Sequence, residues 1–418
     1  MTSSRVGVDA LFDPDVVEEP FAYYRELRSG DPVHEVVPGT FLVTRMDLIH
    51  EVVNKPSLYS STAPGFLHLG DQPAPGLRSL LPGADIQTVE VPGVIATADP
   101  PDHERQRKVL AKKFSTSSIR SMEPSFRALV TEALAGAGAD GRIEWMAALA
   151  EPLPMVMVAR ILGFADSDAP ALKRLGYAMV ERIGGLVPEA RMQQLDADSF
   201  RDMAPVFDAY MAARQGSDAF GDGIIATVAQ AANDGDLDDV EAIGILTVLI
   251  SAGGESTTSL LGTAVRMLAE LPDLQARLRA EPELIATFVE EALRYDPPFR
   301  GHYRIVTEAT TLAGTTIPGG SHVVLMWPAA NRDEHVYEHP DEVRLDRPNA
   351  RYHLGFGWGI HLCLGAPLAR LEARVTLEEL LAATTRFSID THAAPLRYHP
   401  SLMVRRLETL PLLLERAG

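Results

Sequence analysis

The sequence predicts a mainly α-helical protein with a small β subdomain, and three observations lead to this fold class. Residues 120–235 follow a helical hydrophobic period over most of their length. A long apolar helix is predicted from residue 238 to about residue 270, and at about 1.5 Å per residue it spans roughly 48 Å. The segments that alternate as strands do are short, and most of them lie outside these helical regions.

The N-terminal part of the chain combines a predicted hairpin with an irregular segment. Residues 33–45 alternate around Pro38 and Gly39, which predicts two antiparallel strands joined by a turn. A short helix is expected at about residues 46–54. Residues 60–98 are rich in glycine and proline and lack a sustained period. A structureless stretch of this length inside a compact chain usually has a function or is mobile.

A basic helix is predicted to begin after Asp99 and Pro100. His103 and Arg107 are four residues apart, so they share one face of this helix. The helix carries further basic residues on a strongly acidic protein: Arg105, Lys108, Lys112 and Lys113. Such a patch suits the docking of an acidic partner, although a solvated helix with internal ion pairs has the same composition.

The middle of the long apolar helix contains Gly253 and Gly254 followed by Glu255, Ser256 and Thr257. Glycine inside a helix costs about 1 kcal/mol relative to alanine, and a buried carboxylate is costly without a partner. Hydroxyl groups can bond the carbonyls of the previous turn and open the helix locally. The pattern indicates a functional site. A tight helix crossing that requires small residues is the alternative.

A further helix is predicted over residues 283–295, after the long apolar helix, and it ends at Asp296 and two prolines. Glu291 and Arg294 are three apart within it, a spacing that allows an ion pair on one face. Short strands are predicted around residues 305–306, 311–312 and 322–327, and a terminal β-hairpin from Ser401 onward.

The only cysteine of the chain, Cys363, lies in a glycine-rich loop just before a predicted helix with Pro367 in its first turn. A helix N-terminus favours a thiolate over a thiol. A lone cysteine is most often a small buried hydrophobe. His361 is poorly placed as a general base for the thiol, and structural zinc sites need several thiolates or histidines. The glycine spacing favours a thiolate ligand to haem iron over these alternatives.

Composition excludes several classes of function. The chain has 418 residues with 38 basic and 57 acidic side chains, which gives a net charge of −19. This charge disfavours nucleic acid and anionic membranes as partners. A single cysteine excludes an internal disulfide. The first residues contain no apolar run typical of a signal peptide or membrane anchor, so we expect a soluble, cytoplasmic protein.

The cysteine loop, residues 356–365, reads FGWGIHLCLG and resembles the haem-binding signature of the cytochrome P450 superfamily, Phe-Gly-x-Gly-x-His-x-Cys-x-Gly. Every fixed position matches. The Ala252–Thr257 segment is similar to the oxygen-binding motif of that family, Ala-Gly-x-(Asp/Glu)-Thr-Thr, except that Ser256 replaces the usual first threonine. Glu291 and Arg294 resemble the buried ion pair of the family. Its usual third member is absent, because Glu342 follows Pro340 and Asp341. Arg344 or Arg347 is the expected substitute.

The resemblance covers nearly the whole chain and implies one haem-thiolate domain over residues 1–418, with the cytochrome P450 fold and the long central helix crossing the haem. The implied cofactor is haem b (heme b, iron protoporphyrin IX), with Cys363 as the proximal iron ligand. The implied catalytic residues are Glu255, Ser256 and Thr257. The implied cofactor-binding residues are His103, Arg107, Ala252, Gly253, Arg304, Phe356, Gly357, His361, Cys363 and Gly365. The candidate substrate contacts are Phe66, Leu67, Val94, Ile95, Phe299, His302 and Met403.

The implied activity is that of a monooxygenase, which uses O₂ and two electrons to oxidise a small and largely apolar organic substrate. The segment around residues 172–192 is expected to form a lid over the pocket. No Gly-x-Gly-x-x-Gly fingerprint follows a strand, so electrons are expected from a ferredoxin or flavodoxin with its reductase. A peroxide-driven oxygenase and a haem-based ligand sensor or carrier are the two alternatives. The sequence does not identify the substrate.

Overall fold

A computed structural model of the chain describes residues 13–62, 93–136, 141–184 and 189–416. Helices dominate these ranges, as the periodicity predicts. The α-helices are α1 Pro14–Glu18, α2 Phe21–Gly30, α3 Met46–Val53, α4 Asp102–Leu110, α5 Thr116–Ser121, α6 Glu123–Ala135, α7 Pro152–Leu162, α8 Ala169–Gly184, α9 Glu189–Arg214, α10 Ile224–Asn233, α11 Asp239–Glu270, α12 Pro272–Ala280, α13 Ile285–Tyr295, α14 Trp327–Ala330 and α15 Ala366–Ala383. The strands are β1 Val33–Val37, β2 Thr40–Val43, β3 Tyr59–Ser60, β4 Arg142–Glu144, β5 His302–Val306, β6 Thr310–Leu312, β7 Thr315–Ile317, β8 His322–Leu325, β9 Thr384–Ile389 and β10 Pro411–Arg416.

The strands form three small sheets beside the helices. The largest has the order β1-β2-β8-β5-β3, and the predicted hairpin of residues 33–45 is confirmed as its antiparallel β1–β2 pair. Strand β8 pairs parallel with β2 and antiparallel with β5. Strands β4, β10 and β9 form a second sheet, and β6 and β7 form a third. Strand β5 leads directly from α13 to the edge of the main cavity described below.

The long central helix is confirmed as α11. Asp238 caps its N-terminus, because its side chain accepts from the Glu241 N–H at 2.7 Å while Glu241 accepts from the Asp238 N–H at 2.9 Å. The helix packs against α8 and α7 and contributes many buried residues to the largest hydrophobic cluster. It is long and apolar enough to cross a membrane, but 61% of its most apolar window is buried inside the protein, and buried core helices pass the same test.

Helix α8 lies very close to α11. A Cβ atom on Gly176 would lie 2.8 Å from the carbonyl oxygen of Ile250, so only glycine fits at this crossing. Residues 185–188 of the predicted lid lie outside the described residues, as do the candidate pocket residues Phe66 and Leu67.

The predicted pair of Glu291 and Arg294 is confirmed as a fully buried ion pair at 2.8 Å. Arg347 supplies the third member, since its Nε lies 3.1 Å from the same Glu291 carboxylate. Arg344 contributes its backbone N–H at 3.0 Å, while its side chain pairs with Asp346. The Glu342 carbonyl accepts from Arg294 at 2.9 Å, so this residue belongs to the network.

Two predicted boundaries differ from the structure. The helix predicted over residues 283–295 begins with a 3₁₀ turn, Pro282–Leu284, and becomes α-helical at Ile285. The strand predicted over residues 322–327 ends at Leu325, and Trp327 begins α14. Pro328 has no N–H to donate to a neighbouring strand, which explains why the strand stops before it.

Candidate active site

A cavity lies between α11, the loop before α15, and strand β5. About 260 Å³ of this cavity is accessible to the centre of a water molecule. One buried water needs only roughly 10–15 Å³ by the same measure. Its walls are mainly apolar, with a few polar side chains at one end. The cavity is therefore large enough for a bound organic molecule.

Cys363 projects into this cavity from the loop before α15. Gly357 and Gly359 have φ values of +69° and +72°, a conformation that strains other residues, and the Cys363 N–H donates to the Phe356 carbonyl at 2.9 Å. The predicted helix follows from Ala366, with Pro367 in its first turn. These features turn the chain so that the thiol faces the cavity.

Two opposing effects act on the pKa of the Cys363 thiol. Burial raises it, although hydrogen bonds from the backbone of Gly365 and Ala366 act in the opposite direction. Without a bound metal ion, desolvation of the charge is the larger effect. A bound metal ion deprotonates a coordinating thiol outright, and metal binding would therefore release a proton here.

Four basic side chains line the same end of the cavity, as predicted: His103, Arg107, Arg304 and His361. The rings of His103 and His361 lie 4.2 Å apart. Both nitrogens of His103 are buried without a hydrogen-bond partner among the described residues. Ser61 Oγ lies 2.9 Å from His361 Nε2, and Arg107 donates to the Leu362 carbonyl at 2.7 Å.

The electrostatics of this cluster indicate a missing anion. Burial and, to a smaller extent, nearby Arg304 lower the pKa of His361 to about 3. Burial also lowers the pKa of Arg304 to about 10, although Asp99 acts in the opposite direction. Within the described ranges, the Arg304 guanidinium forms no ion pair and donates to the Tyr303 carbonyl at 2.7 Å. Uncompensated buried cations are costly, so the cluster fits a ligand that carries carboxylates.

The predicted oxygen-activation segment lies on the opposite wall. Ala252, Gly253, Ser256 and Thr257 line the cavity, and the Ser256 hydroxyl donates to the Ala252 carbonyl at 2.6 Å. Glu255 is buried beside them but does not line the cavity, because its carboxylate turns toward Arg406 at 2.9 Å.

A chain of charged groups leads away from Glu255. Arg406 also lies 3.3 Å from Glu151, and Glu151 pairs with Lys173 of α8. Burial raises the pKa of Glu255, while Arg406 lowers it by a smaller amount. Tyr177, also on α8, bonds Thr258 at 2.9 Å. The acid is therefore connected to α8 through Arg406 and Glu151.

His302 and Phe299 line the cavity next to Arg304, as predicted. Trp327 Nε1 donates to His302 Nδ1 at 2.6 Å, so His302 accepts at Nδ1 and carries its proton on Nε2. Burial lowers the pKa of His302 to about 4, so the ring is neutral at physiological pH. The pair fixes one tautomer of a neutral imidazole.

The other candidate site residues fall into two groups. Ile95, Phe356, Gly357 and Gly365 line the cavity. Val94 packs against Gly244 of α11, and Met403 packs with Val180 and Val404 behind Phe299; neither is among the lining residues that the structure describes. Their role as substrate contacts stays a prediction.

Sequence reasoning missed Arg406 and Trp327. Both act through contacts with residues far away in sequence, and nothing in their local pattern distinguishes them from ordinary loop residues. Apolar lining residues of α7, such as Val158 and Ile161, were also missed. A helical period indicates which face of a helix is buried, but it does not distinguish a cavity wall from the core.

Comparisons with known proteins agree with this geometry. Residues 206–404 match the family model described as Cytochrome P450. The chain is 38% identical over 407 residues to Cytochrome P450 144 of Mycobacterium tuberculosis (strain CDC 1551 / Oshkosh), covering 97% of this chain and 91% of the relative. It is 36% identical over 315 residues to the erythromycin C-12 hydroxylase of Saccharopolyspora erythraea, covering 75% of this chain and 78% of that enzyme.

A solved structure shares the fold. CYP109E1 from Bacillus megaterium in complex with testosterone superposes with a TM-score of 0.82 at 28% identity, covering 96% of this chain and 99% of that one. The predicted fold, mainly α with a small β subdomain, is thereby confirmed. Because a relative is 38% identical over nearly the whole length, the chain belongs to the cytochrome P450 family, whose members are haem monooxygenases.

Proposed function

We propose that this monooxygenase binds haem b through Cys363, takes electrons from an acidic ferredoxin or flavodoxin, and oxidises an apolar substrate that carries a hydrogen-bond acceptor. The observation that carries the proposal is the arrangement of the cavity. A cysteine faces it from a glycine-rich loop, and the buried Arg304 guanidinium, which forms no ion pair within the described residues, lines it together with His103, Arg107 and His361.

The residues present fit haem. Cys363 Sγ is the single thiol in the cavity, and the N–H groups of Gly365 and Ala366 would temper the charge of a bound thiolate. His103, Arg107, Arg304 and His361 would hold the two propionates. A carboxylate would accept from the N–H of the unpartnered His103 ring and would compensate the buried guanidinium of Arg304.

When bound, a thiolate-ligated haem supplies reductive activation of O₂ and cleavage of the O–O bond, which this ligand favours. The side chains of the opposite wall supply protons. The Ser256 hydroxyl lines the cavity, and Glu255 lies one residue before it with a raised pKa. A carboxyl group with a raised pKa holds its proton closer to neutral pH, and this suits it as a proton donor. Arg406 holds Glu255 in place, so delivery requires the carboxyl group to leave that pair.

The pocket suggests the chemical character of the substrate. Most of its wall is aliphatic or aromatic, with contributions from Leu249, Leu260 and Phe114. His302 is a neutral imidazole with Nε2–H available as a donor, because Trp327 occupies Nδ1. An apolar body with a carbonyl, hydroxyl or ether oxygen matches this surface. The relatives named for erythromycin and solved with testosterone support such a substrate class.

The electron donor is inferred from the surface around α4, α5 and α15. Arg105 is held by Glu241 at 2.5 Å, and Lys113 pairs with Asp222, so these two are not free to dock a partner. Lys108 and Lys112 are exposed and form no ion pair within the described part of the chain. A groove of about 510 Å³ is lined by Arg120 and Arg351, and also by Arg370 and Arg374, which pair with glutamates. A basic face on an acidic protein suits an acidic donor.

The decisive experiment is the absorption spectrum of the haem-loaded, dithionite-reduced protein with carbon monoxide. We expect a strongly red-shifted Soret band, and we expect Cys363→Ser to retain haem at most weakly and to lose the red shift. Failure to bind haem when haem is supplied in excess, or an ordinary Soret position in the unmodified protein, contradicts the proposal.

Turnover assays separate the two alternatives. Product formation with NADPH, reductase and ferredoxin supports the monooxygenase with an external donor. Product formation with hydrogen peroxide only would favour the peroxide-driven oxygenase. Ligand binding without turnover under either condition would favour a sensor or carrier. Substrates are first screened by the spin-state shift that binding produces in the haem spectrum.

A further inference from the structure

Three aromatic side chains form a contact cluster beside the haem loop, which we name the Trp358 cluster: His50, Tyr352 and Trp358. The His50 ring lies 4.7 Å from the Trp358 ring and 5.2 Å from the Tyr352 ring, measured between centroids. The Tyr352 and Trp358 rings lie 5.4 Å apart at an angle of 74°. The three rings thus touch one another, although they come from α3, a 3₁₀ turn and the cysteine loop.

The Trp358 cluster connects the cavity with the protein surface. Trp358 lines the cavity, near Cys363 and His361. Tyr352 is 37% exposed, which is unusual for a large aromatic side chain of this protein. Tryptophan and tyrosine are the two side chains that give up single electrons most readily. Their contact offers an electron a direct route between the surface and the cavity.

His50 completes the chemistry that tyrosine oxidation requires. A tyrosine that loses an electron also loses its phenolic proton, so an adjacent base is needed. The Tyr352 hydroxyl lies 3.0 Å from His50 Nδ1. Burial lowers the pKa of His50, although Asp47 acts in the opposite direction, so the ring is neutral and basic at physiological pH. A neutral His50 that accepts at Nδ1 carries its own proton on Nε2, which is buried.

We propose that the Trp358 cluster is an entry site for single electrons. Small reductants at Tyr352 supply these electrons, and the cluster passes them to the haem site in the cavity. This occurs when peroxide is present and organic substrate is absent. This inference rests on the proposed function, because it requires haem in the cavity. It adds a peroxidase-type activity toward phenols or ascorbate, and that activity protects the protein from its own oxidant.

The electrons and protons balance in two identical passes. In each pass, Tyr352 sends one electron through Trp358 to the cavity and its proton to His50. A phenol or ascorbate then returns one electron to the cluster and releases its own proton to solution, while His50 returns the phenolic proton to Tyr352. Two passes supply the two electrons, and two protons are taken up from solution at the cavity. Together they reduce one hydrogen peroxide to two water molecules.

The test locates the oxidised residue instead of measuring turnover. The haem-loaded protein is treated with hydrogen peroxide and a nitroso spin trap, without organic substrate, and the adduct is located by peptide mass spectrometry. We expect an adduct on Tyr352. We expect Trp358→Phe and Tyr352→Phe to lose it, and Tyr398→Phe, which changes a tyrosine that does not line the cavity, to retain it. Ascorbate should suppress the adduct and slow haem bleaching in the unmodified protein and much less in Tyr352→Phe.

The outcomes separate this inference from the proposed function. An adduct elsewhere, or an undiminished adduct in Trp358→Phe with full haem content, overturns the electron route while leaving the haem site intact. Equal rates of haem bleaching with ascorbate in the unmodified protein and in Tyr352→Phe overturn the electron route as well. Tyr352→Phe keeps the aromatic ring, so the test remains available if Trp358→Phe misfolds. An unmodified protein that binds no haem overturns both the route and the proposed function. An adduct in haem-free protein also overturns the route, because the oxidant would then act directly on the surface.

Discussion

Ser256 and Glu255 are adjacent residues with different surroundings. The serine hydroxyl lines the cavity and donates to the Ala252 carbonyl, whereas the glutamate is buried and paired with Arg406. In the proposed mechanism the hydroxyl is the last protein group on the proton path. Ser256 stands where the family pattern has threonine. The role of its hydroxyl can therefore be tested by removing the hydroxyl and by replacing the serine with threonine.

Ser256→Ala should uncouple electron consumption from product formation. The variant retains Glu255 and the cavity, but it lacks the hydroxyl that carries the proton. We expect product per NADPH to fall severalfold, within the roughly 10²–10⁴-fold contribution of positioned proton transfer, with hydrogen peroxide released instead. Ser256→Thr is the matched control and should couple at least as well as the unmodified protein. Equal coupling in the alanine variant would exclude the hydroxyl from the proton path.

Arg304 should stabilise the haem complex and destabilise the protein without haem. Its pKa is lowered to about 10 from 12.5, so below pH 10 the folded protein holds a cation that the unfolded chain solvates better. At pH 7 Arg304→Met should raise the free energy of unfolding of the haem-free protein by about 1–3 kcal/mol. This net figure already subtracts the contribution of the one hydrogen bond that the variant loses. Haem affinity should fall roughly tenfold to a hundredfold.

Urea denaturation and haem titration measure these two opposite effects. Arg386→Met is the control, because Arg386 is exposed on β9 and remote from the cavity. It should change neither quantity. A haem-free Arg304→Met protein that is less stable than the unmodified one would show that the cation is already compensated by the protein.

At the scale of secondary-structure elements, α8 and α11 cross with very little space between them. Gly176→Ala places a methyl group 2.8 Å from the Ile250 carbonyl oxygen, so the helices must separate. We expect a loss of about 1–3 kcal/mol in the free energy of unfolding, the usual cost of overpacking, and a change in substrate affinity. Gly30→Ala is the matched control at the end of α2, where a Cβ atom meets nothing within 4 Å. If both variants denature at the same urea concentration, the crossing tolerates the methyl group.

Elements differ in how far their sequence determines them. The α11 helix and the loop of Cys363 were predictable because their signals are local: a capping residue, a long apolar run, and glycines at fixed spacing. The partners of Glu255 and His302 were not, since Arg406 and Trp327 reach them only through the tertiary fold. The effect of burial on the pKa of Cys363 was not predictable from the sequence either, because burial depends on everything packed around the thiol.

At the scale of the whole molecule, the charge distribution is uneven. The chain has a net charge of −19, yet Lys108, Lys112, Arg120 and Arg351 form an exposed basic face. If this face docks an acidic donor, Lys112→Glu should slow electron transfer from ferredoxin at low salt, and added salt should reduce the difference. Arg386→Glu makes the same charge change elsewhere and should have little effect. Equal stopped-flow rates for the two variants would exclude this face as the docking site.

Acid stability should depend on Glu290, which joins α13 to α15 and to the loop before Cys363. Burial alone would raise the pKa of this carboxyl group, but hydrogen bonds from His353 and Arg370 lower it to about 2. An acid with a lowered pKa stabilises the fold above the unfolded value of 4.5, and this contribution is lost as the pH falls toward 2. The total is about 3 kcal/mol, of which about 1 kcal/mol disappears between pH 7 and pH 4.

Glu290→Gln should therefore be less stable than the unmodified protein at pH 7 and should lose less stability on acidification. The measurement is urea denaturation at a series of pH values. Glu308→Gln, at an exposed position with no ion pair in the described ranges, is the control and should follow the unmodified protein. Parallel curves for Glu290→Gln and the unmodified protein would mean that the pKa of Glu290 is ordinary.

The buried network around Glu291 has a consequence for how relatives of this protein are recognised. Arg347 pairs with Glu291 in this chain, while Glu342, which stands where the family resemblance leads one to expect a cation, contributes only its carbonyl. The third cation of this network therefore comes from further along the chain than the expected position. A sequence search that requires a fixed spacing would discard chains whose networks are complete, whereas a comparison of guanidinium positions would retain them.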